Sequence, residues 1–225
     1  MTYAEFLTVL QPYRDEKYAR FQEKLILSPS QEILGVRTPD MRKIAKSAID
    51  YLDDLLSFPD TYFEVTFIKL AAVSLLPYSE FIKRVDGCVA LIDNWATCDC
   101  FKPKCLWKHR DEFLPYIEKY FKQGAEFSMR YALVTLLSYY VDDKYLPLIE
   151  KYIRNANTKY YYVYMAVAWL TAELLIKHYE FGVALLQCGA LDAKTHNKAI
   201  QKAKESFRID DEKKEFLNSL KIKSK

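Results

Sequence analysis

Residues 126–155, EFSMRYALVTLLSYYVDDKYLPLIEKYIRN, decide the fold class of this chain. Apolar side chains recur at three- and four-residue spacing in two runs, near 126–140 and 143–155, and a short polar joint separates the runs. This spacing places the apolar side chains on one face of an α-helix. The segment therefore predicts two helices joined by a short turn and packed as an antiparallel pair.

The same succession of helix and short joint continues along the chain. Only 5 Gly and 8 Pro interrupt the 225 residues, which argues against a β-sandwich or a glycine-rich nucleotide fold. Thr38 and Pro39 suit a helix start, because Thr38 can accept from free backbone N–H groups and Pro39 lacks such a group. Further helices are predicted near 39–54, 60–76, 78–92, 97–107, 110–122, 158–178, 194–207 and 211–221.

The predicted fold is an all-α solenoid of HEAT-like antiparallel helix pairs. In such a stack, equivalent helices line a concave face. We expect one domain over residues 1–225, and a plain helical bundle is the alternative that the periodicity leaves open. Hydrophobic residues make up 51% of the chain and charged residues 28%, which excludes extensive disorder.

Charge and cysteine content constrain the class of protein further. The formal net charge of +3 is too small to identify a polyanionic partner by itself. No run of about 18 apolar residues occurs, and the charged, amphipathic start predicts neither a signal peptide nor a membrane span. Five cysteines are an odd number, so we expect reduced thiols and a cytoplasmic location.

The segment Asn94 to Asp99, NWATCD, is the most informative for function. On a helix, Trp95 and Asp99 stand four residues apart and share one face. A carboxylate beside an aromatic ring can hold a cation or order a water molecule near developing positive charge. The alternative is structural: Trp95 packs in the core and Asp99 caps the next helix.

Three sequence blocks together carry a family resemblance. They are Gly35 to Pro39, GVRTP; Asn94 to Asp99, NWATCD; and His196 to Ala203, HNKAIQKA. In this order and separation they resemble the HEAT-like alkylpurine DNA glycosylases of the DNA alkylation repair family. The resemblance extends over nearly the whole chain, and it is the combination of the blocks, rather than any one of them, that is specific.

The resemblance implies a fold that clasps duplex DNA and a hydrolytic reaction that needs no cofactor. Active members remove cationic 3- or 7-alkylated purines by hydrolysing the N-glycosidic bond, without drawing the base into a deep pocket. By position, Asp99 matches the catalytic carboxylate, Trp95 and Trp169 match the active-site aromatic residues, and Arg130 matches a residue that grips the DNA backbone. Alternatively, Trp169 is a core residue and Arg130 forms a surface ion pair.

Two positions depart from the pattern of active relatives. Those relatives carry an arginine three residues after the second tryptophan, where this chain has Ala172. They also carry a helix with a lone tyrosine before the GVRTP block, where this chain has Ile26 and Leu27 followed by the break Ser28-Pro29-Ser30. Both departures leave open a DNA-binding protein of the same family without base excision.

Basic residues form three clusters suited to DNA phosphates. From Lys194 to Lys225 there are 10 Lys and Arg against 5 Asp and Glu, a local excess of 10 − 5 = +5. Phosphate contact is the physical role of such clusters, and each could instead be an ordinary solvated face. The predicted DNA-binding residues are Arg37, Thr38, Arg42, Lys43 and Lys46 around the helix start at Pro39; Lys102 and Lys104 after the NWATCD segment; and Lys194, Lys198 and Lys202 in the C-terminal cluster.

Cysteine and histidine side chains after Trp95 invite a comparison with zinc sites. Cys98, Cys100, Cys105 and His109 are suitable ligands, but their spacing is irregular and Pro103 interrupts it, so we predict no metal site. The functional hypotheses are a monomeric glycosylase acting on alkylated double-stranded DNA, a DNA binder of the same fold, and a protein-binding HEAT scaffold. No membrane partner is expected for any of them.

Overall fold

The computed structural model describes residues 1–26 and 30–223. Of the predicted break Ser28-Pro29-Ser30, Ser28 and Pro29 lie outside the described residues, as does Leu27 before it. The chain divides into two compact units, Met1–His109 and Arg110–Lys225. In the described part, the only strand-like pairing is an isolated bridge between Glu32 and Tyr62.

Within its described residues, the first unit contains seven α-helices. Its helices are α1 Tyr3–Leu10, α2 Glu16–Leu25, α3 Thr38–Ser47, α4 Leu52–Ser57, α5 Phe63–Val73, α6 Tyr78–Ala90 and α7 Trp95–Cys100. Helix α5 packs against α3, α4, α6 and α7. Ten of its eleven residues are buried, as expected of a helix surrounded by neighbours.

The second unit also consists of successive helices. They are α8 Arg110–Lys122, α9 Glu126–Tyr139, α10 Leu146–Asn155, α11 Tyr161–Lys177, α12 Tyr179–Gln187, α13 Ala193–Lys204 and α14 Asp211–Ser219. Helix α11 packs against α9, α12 and α13 and forms the centre of this unit. The predicted all-α class with sequential helix packing is confirmed in both units. One domain over residues 1–225 stays a prediction.

Two predicted helices are interrupted in the structure. The helix predicted near 97–107 is α7, which ends at Cys100, followed by a 3-10 turn over Lys104–Trp107. Pro103 explains the break, because proline disfavours the α conformation at the residue before it and cannot donate a helix hydrogen bond. The helix predicted near 39–54 changes to a 3-10 turn at Ala48–Tyr51 and resumes as α4.

The structure also corrects the predicted start of α3. Thr38 is the first residue of the helix, and Arg37 is the capping residue, with no side-chain hydrogen bond to the free amides. Pro39 lies in the first turn as predicted. The prediction that the Thr38 hydroxyl accepts from the free backbone amides is therefore wrong, because the helix begins one residue earlier than expected.

Helix α12 is not among the predicted helices, and it contains Gly182. In the structure, a Cβ atom on Gly182 would lie 2.9 Å from the Leu175 Cα atom of α11. Glycine is needed here so that two helix backbones can approach closely.

Candidate functional site

Helix α7 presents Trp95 and Asp99 one turn apart, as the sequence predicted. The Asn94 side chain caps the helix, since its Oδ1 accepts from the Thr97 backbone amide at 3.0 Å. Trp95 Nε1 donates to the Leu25 carbonyl at 3.1 Å, which joins α7 to the end of α2. Trp95 and Asp99 are both half-buried. The hydrogen bond to Leu25 therefore orients the indole, and Asp99 as a whole is partly exposed to solvent.

Two predicted DNA-binding residues lie within electrostatic reach of α7. Burial raises the pKa of the Cys100 thiol, and Cys98 and Asp99 raise it further, whereas the positive charges of Arg42 and Lys102 lower it in part. Charges act in this way only over short distances in a salt solution. Arg42 of α3 and Lys102 of the chain after α7 thus both act electrostatically on Cys100, the residue after Asp99 in sequence.

The cysteines of this region are free thiols. Cys98 is fully buried and Cys105 is half-buried, and burial raises the pKa of the Cys105 thiol. The His109 ring stacks on the Tyr78 ring, with 4.2 Å between the ring centroids. Within residues 1–26 and 30–223, no group of three or more His, Cys, Asp or Glu side chains could hold a metal ion.

A buried carboxylate organises the GVRTP block. Glu64 of α5 accepts from three successive backbone amides: Leu34 at 3.0 Å, Gly35 at 2.8 Å and Val36 at 3.2 Å. Burial raises the pKa of Glu64 above its ordinary value, and these amides offset only part of the effect. Gly35 has φ +85°, and a Cβ atom there would lie 2.1 Å from the Asp15 carbonyl oxygen. The block is therefore a tight connection that sets where α3 begins.

The basic residues of α3 point to solvent. Arg42, Lys43 and Lys46 are exposed, and Lys43 pairs with Asp40 at 3.3 Å. Exposed cations on one helix face are available to DNA phosphates. Lys104 is exposed as well, in the 3-10 turn after α7.

Arg37, by contrast, already has partners in the structure. It pairs with Asp15 at 2.9 Å, and its guanidinium lies 4.1 Å from the centroid of the Tyr18 ring. Its side chain nevertheless remains 56% exposed. Beside it, Thr38 is half-buried.

In the second unit, Trp169 borders a cavity of about 220 Å³. Lys202 also lines this cavity, so two sequence-predicted site residues meet there. Ala172, at the position where active relatives have arginine, lines it too and is only 2% exposed. The other lining residues are Glu173, Ile176, Glu205, Ser206 and Arg208.

Arg208 brings a guanidinium to this cavity, which sequence reasoning missed. Its two terminal nitrogens donate to the two Glu173 oxygens at 3.1 and 2.9 Å. Burial alone would raise the pKa of Glu173, but hydrogen bonds from Arg208 and Lys177 outweigh burial and hold the pKa below its ordinary value. Nothing in the spacing of Trp169 and Arg208 signals the contact, because it depends on how α13 packs on α11.

Arg130 is buried in α9, with 5% exposure. Its Nη1 donates to the Tyr162 carbonyl at 3.0 Å, and its guanidinium lies 5.7 Å from the centroid of the Tyr162 ring. This contact joins α9 to the start of α11. The predicted grip of Arg130 on DNA stays a prediction.

The third sequence block, HNKAIQKA, ties down the C-terminal segment. The His196 Nε2 atom is hydrogen-bonded to the Leu220 carbonyl at 2.9 Å. Asn197 exchanges two hydrogen bonds with the Ile222 backbone, at 2.8 and 2.9 Å. His196 and Asn197 of this block thus have a structural role.

The lysines of this block have different environments. Lys194 is exposed, and its ammonium lies 3.9 Å from the centroid of the Tyr164 ring. Lys198 is half-buried and donates to Gln201 at 3.2 Å. Their charges, together with that of Lys202 at the cavity, belong to one helix, α13.

Comparison with known proteins gives the family. Among the described residues, no helix is long and apolar enough to cross a membrane. No curated protein matches the chain significantly. A family model described as DNA alkylation repair enzyme matches residues 4–208. Since this match spans most of the chain, the protein belongs to the DNA alkylation repair enzyme family.

Proposed function

We propose that the protein is a monofunctional DNA glycosylase that excises cationic 3- or 7-alkylpurines from duplex DNA. The observation that carries this proposal is the Trp95 and Asp99 pair on α7, held by the Asn94 cap and the Trp95 contact to Leu25. Family membership supports a role in DNA alkylation repair. The pair has the residue types, spacing and accessibility that the chemistry needs.

The reaction requires little covalent participation by the protein. An alkylated purine carries positive charge, so the base leaves with the electron pair of the N-glycosidic bond as a neutral molecule. The sugar then develops oxocarbenium character, which a nearby carboxylate stabilises. Asp99 also orients a water molecule that adds at the anomeric carbon, and the water's proton passes through the carboxylate to solvent.

The remaining predicted residues have supporting roles in this proposal. Trp95, on the same helix as Asp99, provides an aromatic face for the sugar or the cationic lesion. Trp169, at the cavity of the second unit, offers an aromatic face of its own to DNA. Arg42, Lys43 and Lys46 offer exposed charge on α3 for phosphates. Arg130, which donates to the Tyr162 carbonyl, is assigned the contact to the DNA backbone in this proposal.

Release of the free base tests the proposal directly. Duplex DNA containing one 7-methylguanine is incubated with the wild-type protein, with Asp99→Asn, and with Asp53→Asn as a matched control. Asp53 is 89% exposed and pairs with Arg84 in the same unit. We expect base release by the wild type and the control, and a loss of about a hundredfold or more for Asp99→Asn. Equal rates for wild type and Asp99→Asn would refute the catalytic role of Asp99.

A second function is favoured by one specific observation. Ala172 is buried and carries no charge where active relatives have arginine, which weakens the hold on a lesion. Salt-dependent DNA binding without base release would identify a DNA-binding protein of this family without excision. Absence of both binding and release at low salt would instead point to the protein-binding scaffold.

A further inference from the structure

The two oxygens of the Asp93 carboxylate accept hydrogen bonds from two different parts of the first unit. Oδ1 accepts from Asn94 Nδ2 at 2.6 Å, and Oδ2 accepts from the Ser30 hydroxyl. Asp93 is half-buried, and Asn94 is almost completely buried, with 3% exposure. The carboxylate therefore links the segment before the GVRTP block to the residue that caps α7.

The bond to Asp93 decides which way the Asn94 side chain points. An asparagine amide has one oxygen that accepts and one nitrogen that donates, and a half-turn of the amide exchanges their positions. An ionised carboxylate can only accept, so Asp93 draws the nitrogen towards itself and turns the oxygen the other way. That oxygen is the atom that accepts from the Thr97 amide at 3.0 Å. Asp93 thus selects the orientation in which Asn94 can cap the helix.

Helix α7 depends on this cap because it is short. It has six residues, fewer than a helix needs to be stable without its surroundings. Asn94 holds the first turn a second time through its backbone carbonyl, which accepts from Thr97 Oγ1 at 3.1 Å. Thr97 is fully buried. The side chains of α7 therefore take their positions from a turn that Asn94 fixes.

Ser30, on the other side of the carboxylate, is itself held in place. Its neighbour Gln31 donates through Nε2 to the Asp60 carbonyl at 2.8 Å and to Thr66 Oγ1 at 2.7 Å. These bonds anchor the segment after Ser30 to the first turn of α5 and to the loop before it. Since each oxygen of Asp93 has an anchored partner, the carboxylate keeps one orientation.

We propose that Asp93 is a positioning residue for the reaction at Asp99. It orients the Asn94 amide, the amide caps α7, and α7 holds Asp99 in the geometry that the reaction needs. This inference rests on the proposed function, since it takes Asp99 as the carboxylate of that reaction. Two other roles for Asp93 make different predictions: a charge that favours the N-terminus of α7, and a second catalytic carboxylate.

Substitution at Asp93 separates orientation from charge. Release of 7-methylguanine from duplex DNA is measured with the protein in excess, after subtraction of the release without protein, and anisotropy of a labelled duplex gives the dissociation constant. Asp93→Ala removes both hydrogen bonds and should slow release about tenfold or more without changing the dissociation constant. Asp93→Asn loses the charge but can still accept from Asn94 and can donate to the Ser30 oxygen. Its release rate should therefore stay within about threefold of the wild-type rate.

The matched control is Asp53→Ala, which removes an 89% exposed carboxylate of the same unit. It should release the base as fast as the wild type. If Asp93→Asn is as slow as Asp93→Ala, the carboxylate acts by its charge or as a catalytic group, and the proposal is overturned. Release by Asp93→Ala at the wild-type rate overturns it as well.

Combination with Asp99→Asn shows whether Asp93 acts through Asp99. If it does, adding Asp93→Ala to Asp99→Asn should slow release no further, because residues that act as a unit have non-additive effects. A further loss of about tenfold in the double variant would mean that Asp93 acts independently of Asp99. That outcome also overturns the proposal.

A measurement without DNA distinguishes failure of this inference from failure of the proposed function. The NMR signal of the Trp95 indole N–H, assigned by its loss in Trp95→Phe, reports the contact between α7 and the Leu25 carbonyl. Asp93→Ala should shift this signal, Asp93→Asn should leave it near its wild-type position, and the Trp169 signal should not move. If the wild type releases no base, the proposed function fails. The Trp95 signal then decides by itself whether Asp93 positions α7: a shift in Asp93→Ala supports that role, and an unshifted signal overturns it.

Discussion

The Glu64 Oε1 atom accepts a hydrogen bond from the Gly35 backbone amide at 2.8 Å. Glu64 lies in α5, the most enclosed helix of the first unit, and Gly35 lies three residues before α3. The carboxylate therefore fixes the connection that orients α3, the helix carrying Arg42, Lys43 and Lys46. The backbone of the GVRTP block is thus held by a buried carboxylate, Glu64, that lies outside the block in sequence.

The contribution of Glu64 to stability depends on pH. Its pKa in the folded chain is raised, so the native state binds its proton more tightly than the unfolded state. The stabilisation is fully present below the unfolded pKa and is lost as pH rises through the folded pKa. We expect the unfolding free energy of wild type to exceed that of Glu64→Gln by a margin that widens as pH falls from 7 towards 4.

Urea unfolding at several pH values measures this margin. Glu16→Gln is the control, because the Glu16 side chain is 90% exposed. The free energy of unfolding of Glu16→Gln should stay within about 0.5 kcal/mol of the wild-type value at each pH. A margin for Glu64→Gln that is constant or shrinks on acidification would contradict the prediction.

Gly35 should be far less replaceable than Gly124, although both have positive φ. A Cβ atom on Gly35 meets the Asp15 carbonyl oxygen at 2.1 Å, whereas one on Gly124 meets nothing within 4 Å. Gly124→Ala should therefore cost only the left-handed backbone strain, about 1 kcal/mol. Gly35→Ala adds a backbone clash and should cost about 4 kcal/mol or more. If thermal or urea unfolding shows that Gly35→Ala and Gly124→Ala lose similar amounts of unfolding free energy, the structure around Gly35 relieves the clash.

Two glycines within helices provide a second matched pair. Gly182→Ala forces a methyl group against the Leu175 backbone of α11 and should lower the unfolding free energy by about 2 kcal/mol. Gly87 in α6 has open space around it, so Gly87→Ala should raise the unfolding free energy by roughly 0.5–1 kcal/mol. Denaturant unfolding of both variants measures the change in the unfolding free energy. If both substitutions change it in the same direction, the close approach of α12 to α11 is contradicted.

Arg42 should contribute to DNA affinity through phosphate contact. Removing one such contact lowers the slope of log affinity against log salt by about one. We therefore expect Arg42→Gln to weaken binding to duplexes of any sequence and to flatten the salt dependence by that amount. Lys83→Gln on α6 is the control, since Lys83 is exposed and paired with Glu80 at 2.6 Å. If the two variants have the same salt slope, Arg42 lies away from the DNA.

Local periodicity predicted most helices well. The helix expected at 110–122 is α8, Arg110–Lys122, and the one expected at 126–140 is α9, Glu126–Tyr139. In these segments the spacing of apolar residues and the joints between them both follow from neighbouring residues in the chain. The Trp95 and Asp99 relationship was predictable for the same reason, because four-residue spacing places two side chains on one helix face.

What the sequence alone determined, then, was the all-α class, the family blocks and the pairing of Trp95 with Asp99. Only the tertiary structure decided which long-range partners complete those features. The Glu64 contact to Gly35, the approach of Gly182 to Leu175 and the Arg208 contact to Glu173 each join residues on different elements. Such contacts depend on helix packing, which no local spacing encodes.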